Sequence, residues 1–230
     1  MKKTIEQKNI DFFSKNQNYQ KNILNLDTYK ILYDEVTKHL AGYKKLLDIG
    51  HGGAFDYDTS KIEKIIGLDL DQMIDLKNLP PNIKLEYGSA LKISDHLKNF
   101  DILLLAMLIH HLVGKNVKEN LKNLNICIEQ SRKALVLDGK LLIVESCVPR
   151  WFYFIEKILF RPTSYFINKF FKHPPAFQFT KDIIINTLKN NHFKEIKVQK
   201  IKQGKFILQY GVKFPTFLTP VMTYIFTAKK

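Results

Sequence analysis

The 230-residue chain contains little cysteine and no long apolar run. Its two cysteines, Cys127 and Cys147, cannot form a disulfide framework, and neither has the spacing of a metal-ligand pair. The longest uninterrupted apolar run, Ile102 to Ile109, has eight residues, whereas a membrane-spanning helix needs about 20. No apolar stretch follows the basic start of the sequence, so we expect no signal peptide. The sequence therefore predicts a soluble protein of the reducing cytoplasm, without a metal site.

Arginine is also scarce, although the chain is strongly basic. Lysine and arginine together number 36 against 22 acidic residues, which gives a net charge of +14, yet only Arg132, Arg150 and Arg161 are arginines. Lysine is the default solvated surface residue, whereas planar recognition of phosphates and bases favours arginine. A composition rich in Lys, Asn and Ile also follows from an AT-rich genome alone. We therefore interpret the charge first as compositional, with nucleic acid or an anionic membrane surface as the open alternative.

The length is enough for one sizeable core, and no repeat of 20–50 residues divides the chain. We predict a single domain over residues 1–230. Its parts are N-terminal helices (1–43), a cofactor-binding core (44–146), a helical insertion (147–179), and a final helix with strands (180–230).

Short apolar strands alternate with helical and loop segments in the central part of the sequence. Strands are predicted at Lys44–Gly50, Lys64–Asp71, Ile83–Tyr87, Phe100–Ala106 and Lys140–Glu145. Helices are predicted at about Val117–Leu135 and Thr180–Asn190, and two late strands near 195–202 and 221–228. Near-continuous apolar strands are typical of a parallel sheet covered on both faces. The sequence therefore predicts a doubly wound α/β fold.

A glycine segment, Asp48-Ile49-Gly50-His51-Gly52-Gly53-Ala54, follows the first predicted strand. Asp69 ends the second strand, 17 residues after Gly52. Glycines let the backbone turn tightly and approach a ligand closely. The segment resembles the first motif of the class I S-adenosylmethionine-dependent methyltransferases, usually acid-x-Gly-x-Gly-x-Gly, although Ala54 replaces the third glycine. A dinucleotide-binding protein would have glycine at Phe55 instead, which argues against a nicotinamide or flavin cofactor.

The resemblance continues through residues 44–146. Gly88-Ser89-Ala90 is similar to the Gly-Asp-Ala that often follows the third strand of these enzymes, and Leu137-Asp138-Gly139-Lys140 resembles the turn before their fifth strand. The resemblance implies a seven-stranded, mostly parallel sheet whose last strand is antiparallel, with helices on both faces.

The same resemblance implies S-adenosyl-L-methionine as the cofactor. Asp69 would hold both ribose hydroxyls, Leu70 would pack on the adenine, and Ser89 would reach the adenine amine. The full set of cofactor-binding residues that it implies is Asp48, Gly50, His51, Gly52, Gly53, Asp69, Leu70, Ser89, Ala90 and Ala106.

Two histidines, His110 and His111, follow the fourth strand, where acceptor and methyl group would meet. Imidazole is the usual proton acceptor near neutral pH, and an oxygen acceptor usually needs a base. Both are candidate catalytic residues. We expect one of them to pack under the loop with a structural role, His110 rather than His111.

The segment from Cys147 to Pro175 is rich in aromatic and basic residues. It predicts two helices joined near Arg161-Pro162 and ended by Pro174-Pro175. In the family this position carries a lid over the substrate, which implies substrate-binding roles for Arg150, Trp151 and Tyr153. Two alternatives remain open. The aromatic residues pack on the core, or the helices lie on a membrane surface.

The acceptor class follows partly by exclusion. Residues 106–109 lack the Asn/Asp-Pro-Pro-Tyr sequence typical of amino methylation of nucleic-acid bases, and Cys147 has no supporting motif for attack on cytosine. We predict O-methylation of a small molecule, a saccharide or a lipid-linked intermediate. The alternatives are an RNA methyltransferase or RNA-binding protein, and a non-catalytic scaffold peripheral to the membrane.

Overall fold

The computed structural model describes residues 4, 6–8, 10–11, 27–70, 79–171, 175–201, 206–207, 213–214 and 221–230. The predictions for Asp71, for Pro174 and for most of residues 1–26 lie outside these ranges.

Seven strands form one sheet. They are β1 (Lys45–Ile49), β2 (Lys64–Asp69), β3 (Ile83–Tyr87), β4 (Phe100–Ala106), β5 (Leu135–Cys147), β6 (Lys194–Lys200) and β9 (Met222–Lys229). Their order is β3-β2-β1-β4-β5-β9-β6, and β9 alone runs antiparallel to its neighbours. The predicted fold class is therefore confirmed. Two short strands, β7 (Phe206–Ile207) and β8 (Lys213–Phe214), pair separately and were not predicted.

The longer helices among the described residues are α1 (Asp27–Leu40), α2 (Val117–Ala134), α3 (Arg150–Phe171) and α4 (Lys181–Asn190). The start of α2 is capped by the side chain of Asn116, which accepts from the amide of Glu119. Thr180 caps α4 in the same way by accepting from the amide of Ile183. These caps explain why α2 and α4 lie within one residue of their predicted bounds.

The core has two layers because successive strand side chains point to opposite faces. Leu46 packs with Val36 of α1 on one face, whereas its neighbour Leu47 packs with Leu124 of α2 on the other. All four side chains are fully buried. Burial on both faces is what makes the central strands continuous apolar runs.

Two predicted boundaries were wrong. The predicted pair of helices around Arg161-Pro162 is one helix, α3, with Pro162 in its interior. Proline removes a single amide donor, so a helix of 22 residues keeps nearly all its other hydrogen bonds. The predicted turn at Asp138-Gly139 lies within β5, where Asp138 has a φ of 62° and the register with β4 shifts.

The connection from β1 to β2 is short. It contains one turn of 3₁₀-helix, Thr59–Lys61, capped by the side chain of Asp58. The glycine segment therefore follows the end of β1 and lies against the end of β2, where the amide of Gly50 donates to the carbonyl of Leu68 at 2.8 Å.

Candidate functional site

A cleft lies at the C-terminal ends of β1 to β4. Ligands of doubly wound sheets bind at this edge. Six residues singled out from the sequence line the cleft: Gly50, Asp69, Leu70, Ser89, Ala90 and His111. The fold thus brings half of the predicted cofactor residues and one candidate base to a single cavity.

Gly50 forms the floor of the cleft where β1 ends. Its φ of +75° lies in the left-handed region, which favours glycine. A Cβ atom added there would lie 2.6 Å from a methyl carbon of Leu108, so the loop after β4 packs directly on the Gly50 backbone. The glycine segment and the histidine loop are therefore in contact.

Asp69 connects the end of β2 to the glycine segment. One carboxylate oxygen accepts from the amide of Gly52 at 2.8 Å, and the other accepts from the amide of Leu70 at 2.6 Å. A carboxylate has about four lone-pair sites, so Asp69 keeps acceptor capacity for two further donors on the cleft side. Two hydroxyl groups on neighbouring carbon atoms, a vicinal diol, would supply these two donors.

Asp48 is buried behind the cleft and does not line it. The hydroxyl of Tyr57 donates to its Oδ2 at 2.9 Å, and within the described part of the chain Oδ1 has no hydrogen-bond partner. Burial raises the pKa of Asp48 to about 7, and the hydrogen bond from Tyr57 only partly offsets this. Asp48 is therefore a carboxyl group that titrates near neutrality beneath the glycine segment.

His51 packs under the glycine segment and does not line the cleft. Its ring stacks on Phe55 with centroids 4.9 Å apart, and both rings lie against the backbone of Gly67. Its Nδ1 accepts from the amide of Gly53 at 3.0 Å. Burial lowers the pKa of His51, so the neutral ring holds the turn in place.

Ser89 lies at the opposite end of the cleft, after β3. Its hydroxyl donates to Glu6 at 2.8 Å and accepts from the amide of Leu91 at 3.2 Å. Glu6 also lines the cleft. Glu6 thus adds a carboxylate at this end that the sequence did not single out, because no local motif marks it.

The loop after β4 carries the two histidines across the sheet edge. Met107 has a φ of 52°, a left-handed conformation that turns the chain from β4 into the 3₁₀ turn Ile109–His111. The two rings lie 4.1 Å apart between centroids. Only His111 lines the cleft, so the structure separates the positions of the two candidate bases.

His110 is bound to Glu145 at the end of β5. Its Nδ1 lies 2.8 Å from Oε1 of Glu145, and its backbone amide donates to Oε2 at 3.2 Å. Burial alone would lower the pKa of His110, but the charge and the hydrogen bond of Glu145 outweigh it and raise the pKa. Glu145 is fully buried, so it fixes both the ring and the turn.

Glu156, on the inward side of α3, adds a second carboxyl group near His110. Its Oε1 accepts from the amide of Gln178 at 3.1 Å, and Oε2 has no partner among the described residues. Burial raises the pKa of Glu156 to about 7. Neither Glu145 nor Glu156 could be singled out from the sequence, because both lie in apolar runs that predict only a strand and a helix.

The three predicted substrate residues do not come together in the cleft. Arg150 is bound to Asp182 at 2.9 Å on the surface, and the Trp151 side chain is 61% exposed. Tyr153 is half-buried and packs edge-on against Phe177. Phe177 in turn donates its amide to the carbonyl of His110 at 2.9 Å. Of the three, Tyr153 is the one connected to the histidine loop.

The remaining predicted residues lie near the cleft without lining it. Gly52 and Gly53 form the turn, with positive φ values of 60° and 89°, and Ala106 ends β4. Cys147 is buried, and its burial raises the pKa of the thiol, so a thiolate nucleophile is disfavoured there.

The residues of the cleft fit the nucleoside part of S-adenosylmethionine. Asp69 has acceptor capacity for a ribose diol, and Leu70 and Ala90 offer apolar surface for a purine. Ser89 and Glu6 supply polar groups at the far end.

A comparison of the sequence with models of protein families finds no match, and neither does a comparison with curated protein sequences. Solved structures do match. A SAM-dependent methyltransferase from Thermotoga maritima, described as a possible histamine N-methyltransferase, is 16% identical with a TM-score of 0.61, over 95% of this chain and 98% of that one. A SAM-dependent methyltransferase from Methanosarcina mazei is 16% identical with a TM-score of 0.57, over 86% and 97%.

The chain has the class I methyltransferase fold. This is the fold that the glycine segment and the strand order predict. At such low identity the likeness establishes the fold alone, and a third match illustrates why. The [4+2]-cyclase SpnF is 13% identical with a TM-score of 0.59, over 88% of this chain and 80% of that one. The activity must therefore be argued from the cleft itself.

Proposed function

We propose that this chain is an S-adenosylmethionine-dependent methyltransferase that acts on a hydroxyl oxygen. The observation that carries the proposal is the cleft at the ends of β1 to β4, in which Gly50 and Asp69 lie at one side and His111 at the other. A nucleoside-binding half next to a titratable side chain is the arrangement that this reaction requires.

Asp69 would bind the two ribose hydroxyls of the cofactor, and Leu70 and Ala90 would pack on its adenine. Gly52 keeps the Asp69 carboxylate oriented through its amide. Bound S-adenosylmethionine supplies an electrophilic methyl group. The protein contributes position and the exclusion of water, which together supply most of the rate gain in a displacement of this kind.

His111 is proposed as the base that accepts the hydroxyl proton, because it is the histidine that lines the cleft. His110, held by Glu145 and in ring contact with it, is proposed as the residue that positions His111. The raised pKa of His110 favours its protonated form, which cannot accept a proton and so suits a supporting role.

The acceptor is proposed to be a small molecule, a saccharide or a lipid-linked intermediate. The cleft is mainly apolar, with few polar groups, which is typical of small-molecule sites. The buried Cys147 argues against attack on cytosine, and no Asn/Asp-Pro-Pro-Tyr sequence stands after β4.

Isothermal titration with S-adenosylhomocysteine tests the cofactor half of the proposal. We expect the wild type to bind below about 1 mM and Asp69→Ala to lose about 1.5–3 kcal/mol of binding free energy, the range for a hydrogen bond to a charged group. Asp95→Ala is the matched control, since Asp95 is exposed and does not line the cleft. No binding by the wild type would refute the enzyme assignment.

A further inference from the structure

Helix α3 exposes an apolar stripe on its outer face. The stripe consists of five residues whose side chains are 44–63% exposed: Trp151, Phe154, Ile155, Ile158 and Leu159. The other large exposed apolar side chains of the described residues stand singly on different elements. Single exposed apolar residues are ordinary on protein surfaces, whereas a contiguous cluster needs an explanation.

The stripe is helical and one-sided. At 100° per residue, its five members cover an arc of about 140°. The opposite side of the helix carries Phe160, which is buried, and Glu156, which is bonded to Gln178. One face of α3 therefore packs against the rest of the protein, whereas the stripe lies on the opposite, exposed face.

Exposed cations lie along one border of the stripe. Lys157 and Arg150 lie about 20° from each other on the helical wheel at that border. Both are exposed, and Arg150 is also paired with Asp182 at 2.9 Å. The whole chain carries a net charge of +14. Trp and Phe beside Lys and Arg on one amphipathic helix is the pattern of a helix that lies in the bilayer interface. No helix in the described part of the chain has the length and apolar character to cross a bilayer.

We propose that the apolar stripe of α3 binds the surface of an anionic lipid bilayer. A second copy of this chain fits less well, because two chains of +14 repel each other. An anionic membrane instead attracts each nearby Lys and Arg.

The docking has a consequence for the acceptor, and this part rests on the proposed function. The inner face of α3 packs through Tyr153 on Phe177, whose amide donates to the His110 carbonyl. A membrane bound to the outer face would therefore lie one helix away from the histidine loop. Among the three proposed acceptor classes, this favours the lipid-linked one.

Vesicle binding tests the proposal directly. Trp151 is the only tryptophan, so selectively excited tryptophan fluorescence reports on the stripe alone. With vesicles of phosphatidylcholine and phosphatidylglycerol we expect the protein to co-sediment and its emission to shift to shorter wavelength. With pure phosphatidylcholine we expect at least a fivefold weaker response. A wild type that stays in the supernatant with both vesicle types would overturn the proposal.

The matched variants separate the stripe from bulk charge. Phe154→Gln/Ile158→Gln replaces two stripe residues that are 62% and 63% exposed, and Tyr87→Gln/Leu137→Gln replaces residues 63% and 81% exposed elsewhere. We expect the first double variant to lose vesicle binding at least fivefold and the second to bind like the wild type. Equal vesicle binding by the two double variants would overturn the proposal. So would a wild-type dimer, detected by light scattering, that dissociates in the stripe variant and not in the control variant.

Binding of S-adenosylhomocysteine is measured on the same samples. Retained binding in the stripe variant shows that it is folded. If the wild type binds S-adenosylhomocysteine but no vesicles, the docking proposal fails and the proposed function stands. If it binds vesicles but no S-adenosylhomocysteine, the docking stands and the proposed function fails.

Discussion

The imidazole of His110 and the carboxylate of Glu145 form a buried pair, 2.8 Å from Nδ1 to Oε1, at the junction of the β4 loop and the end of β5. Glu145 also accepts the backbone amide of His110, so a single side chain fixes the turn that carries His111. The orientation of the proposed base thus depends on a carboxylate one strand away.

Glu145→Gln should destabilise the protein by about 1.5–3 kcal/mol, because it weakens a hydrogen bond between charged groups. The raised pKa of His110 makes the stability from this pair fully present below about pH 6.5 and lost as the pH rises through the pKa of the folded state. The cost should therefore be larger at pH 5.5 than at pH 8.5. Urea unfolding at both pH values measures it.

The control for that measurement is Glu129→Gln. Glu129 forms an exposed pair with Lys133, and such pairs contribute little, ~0–1 kcal/mol. We expect a small cost that changes little between the two pH values. A cost of Glu145→Gln that grows with pH would contradict the assigned pairing.

His111→Ala should lower methyl transfer by about 10²–10⁴ and leave the affinity for S-adenosylhomocysteine nearly unchanged, because the base acts on the acceptor and not on the cofactor. His110→Ala should instead lower thermal stability, since it leaves a cavity and removes the imidazole partner of the buried Glu145. Single-turnover assays and calorimetry separate the two effects. If Glu156→Gln and not His111→Ala reduces the rate, the base is on α3.

The framework of this fold could be predicted because its signals are local. Continuous apolar runs mark β1, β2 and β4, and the starts of α2 and α4 were predicted to within one residue. Asp69 and Gly50 could be placed at the cleft because the ends of parallel strands meet at one edge.

The acceptor side could not be predicted, because its contacts join distant parts of the sequence. Glu145 is 35 residues from His110, and the sequence around it looks like an ordinary buried strand. Pro162 predicted a helix break, but the backbone bonds of a long helix outweigh one missing donor. Glu6 reaches Ser89 over 83 residues without any motif.

Gly50→Ala should destabilise the protein by about 1–3 kcal/mol, from a left-handed φ and from contact with Leu108. In a Leu108→Ala background the cost should fall by about 0.5 kcal/mol or more, since the steric part is removed. Gly42→Ala is the control, because its φ is +88° but no atom lies within 4 Å of the added Cβ. A double-mutant cycle by denaturant unfolding measures the coupling, and full additivity would exclude the contact.

Asp48 should make stability fall as the pH rises from about 4 to about 7. Its pKa rises from 3.8 to about 7 on folding because the carboxyl group is buried. In that window the unfolded chain has released the proton while the folded chain retains it, so the folded state loses about 1.4 kcal/mol per unit of pKa difference. Asp48→Asn removes this titration, and its stability relative to the wild type should therefore rise between pH 4.5 and pH 8. Tyr57→Phe removes the hydrogen bond that favours the ionised form, so it should extend the fall above pH 7. Unfolding curves of the three proteins across this range check the sign, and a stability of Asp48→Asn that falls relative to the wild type as the pH rises would contradict it.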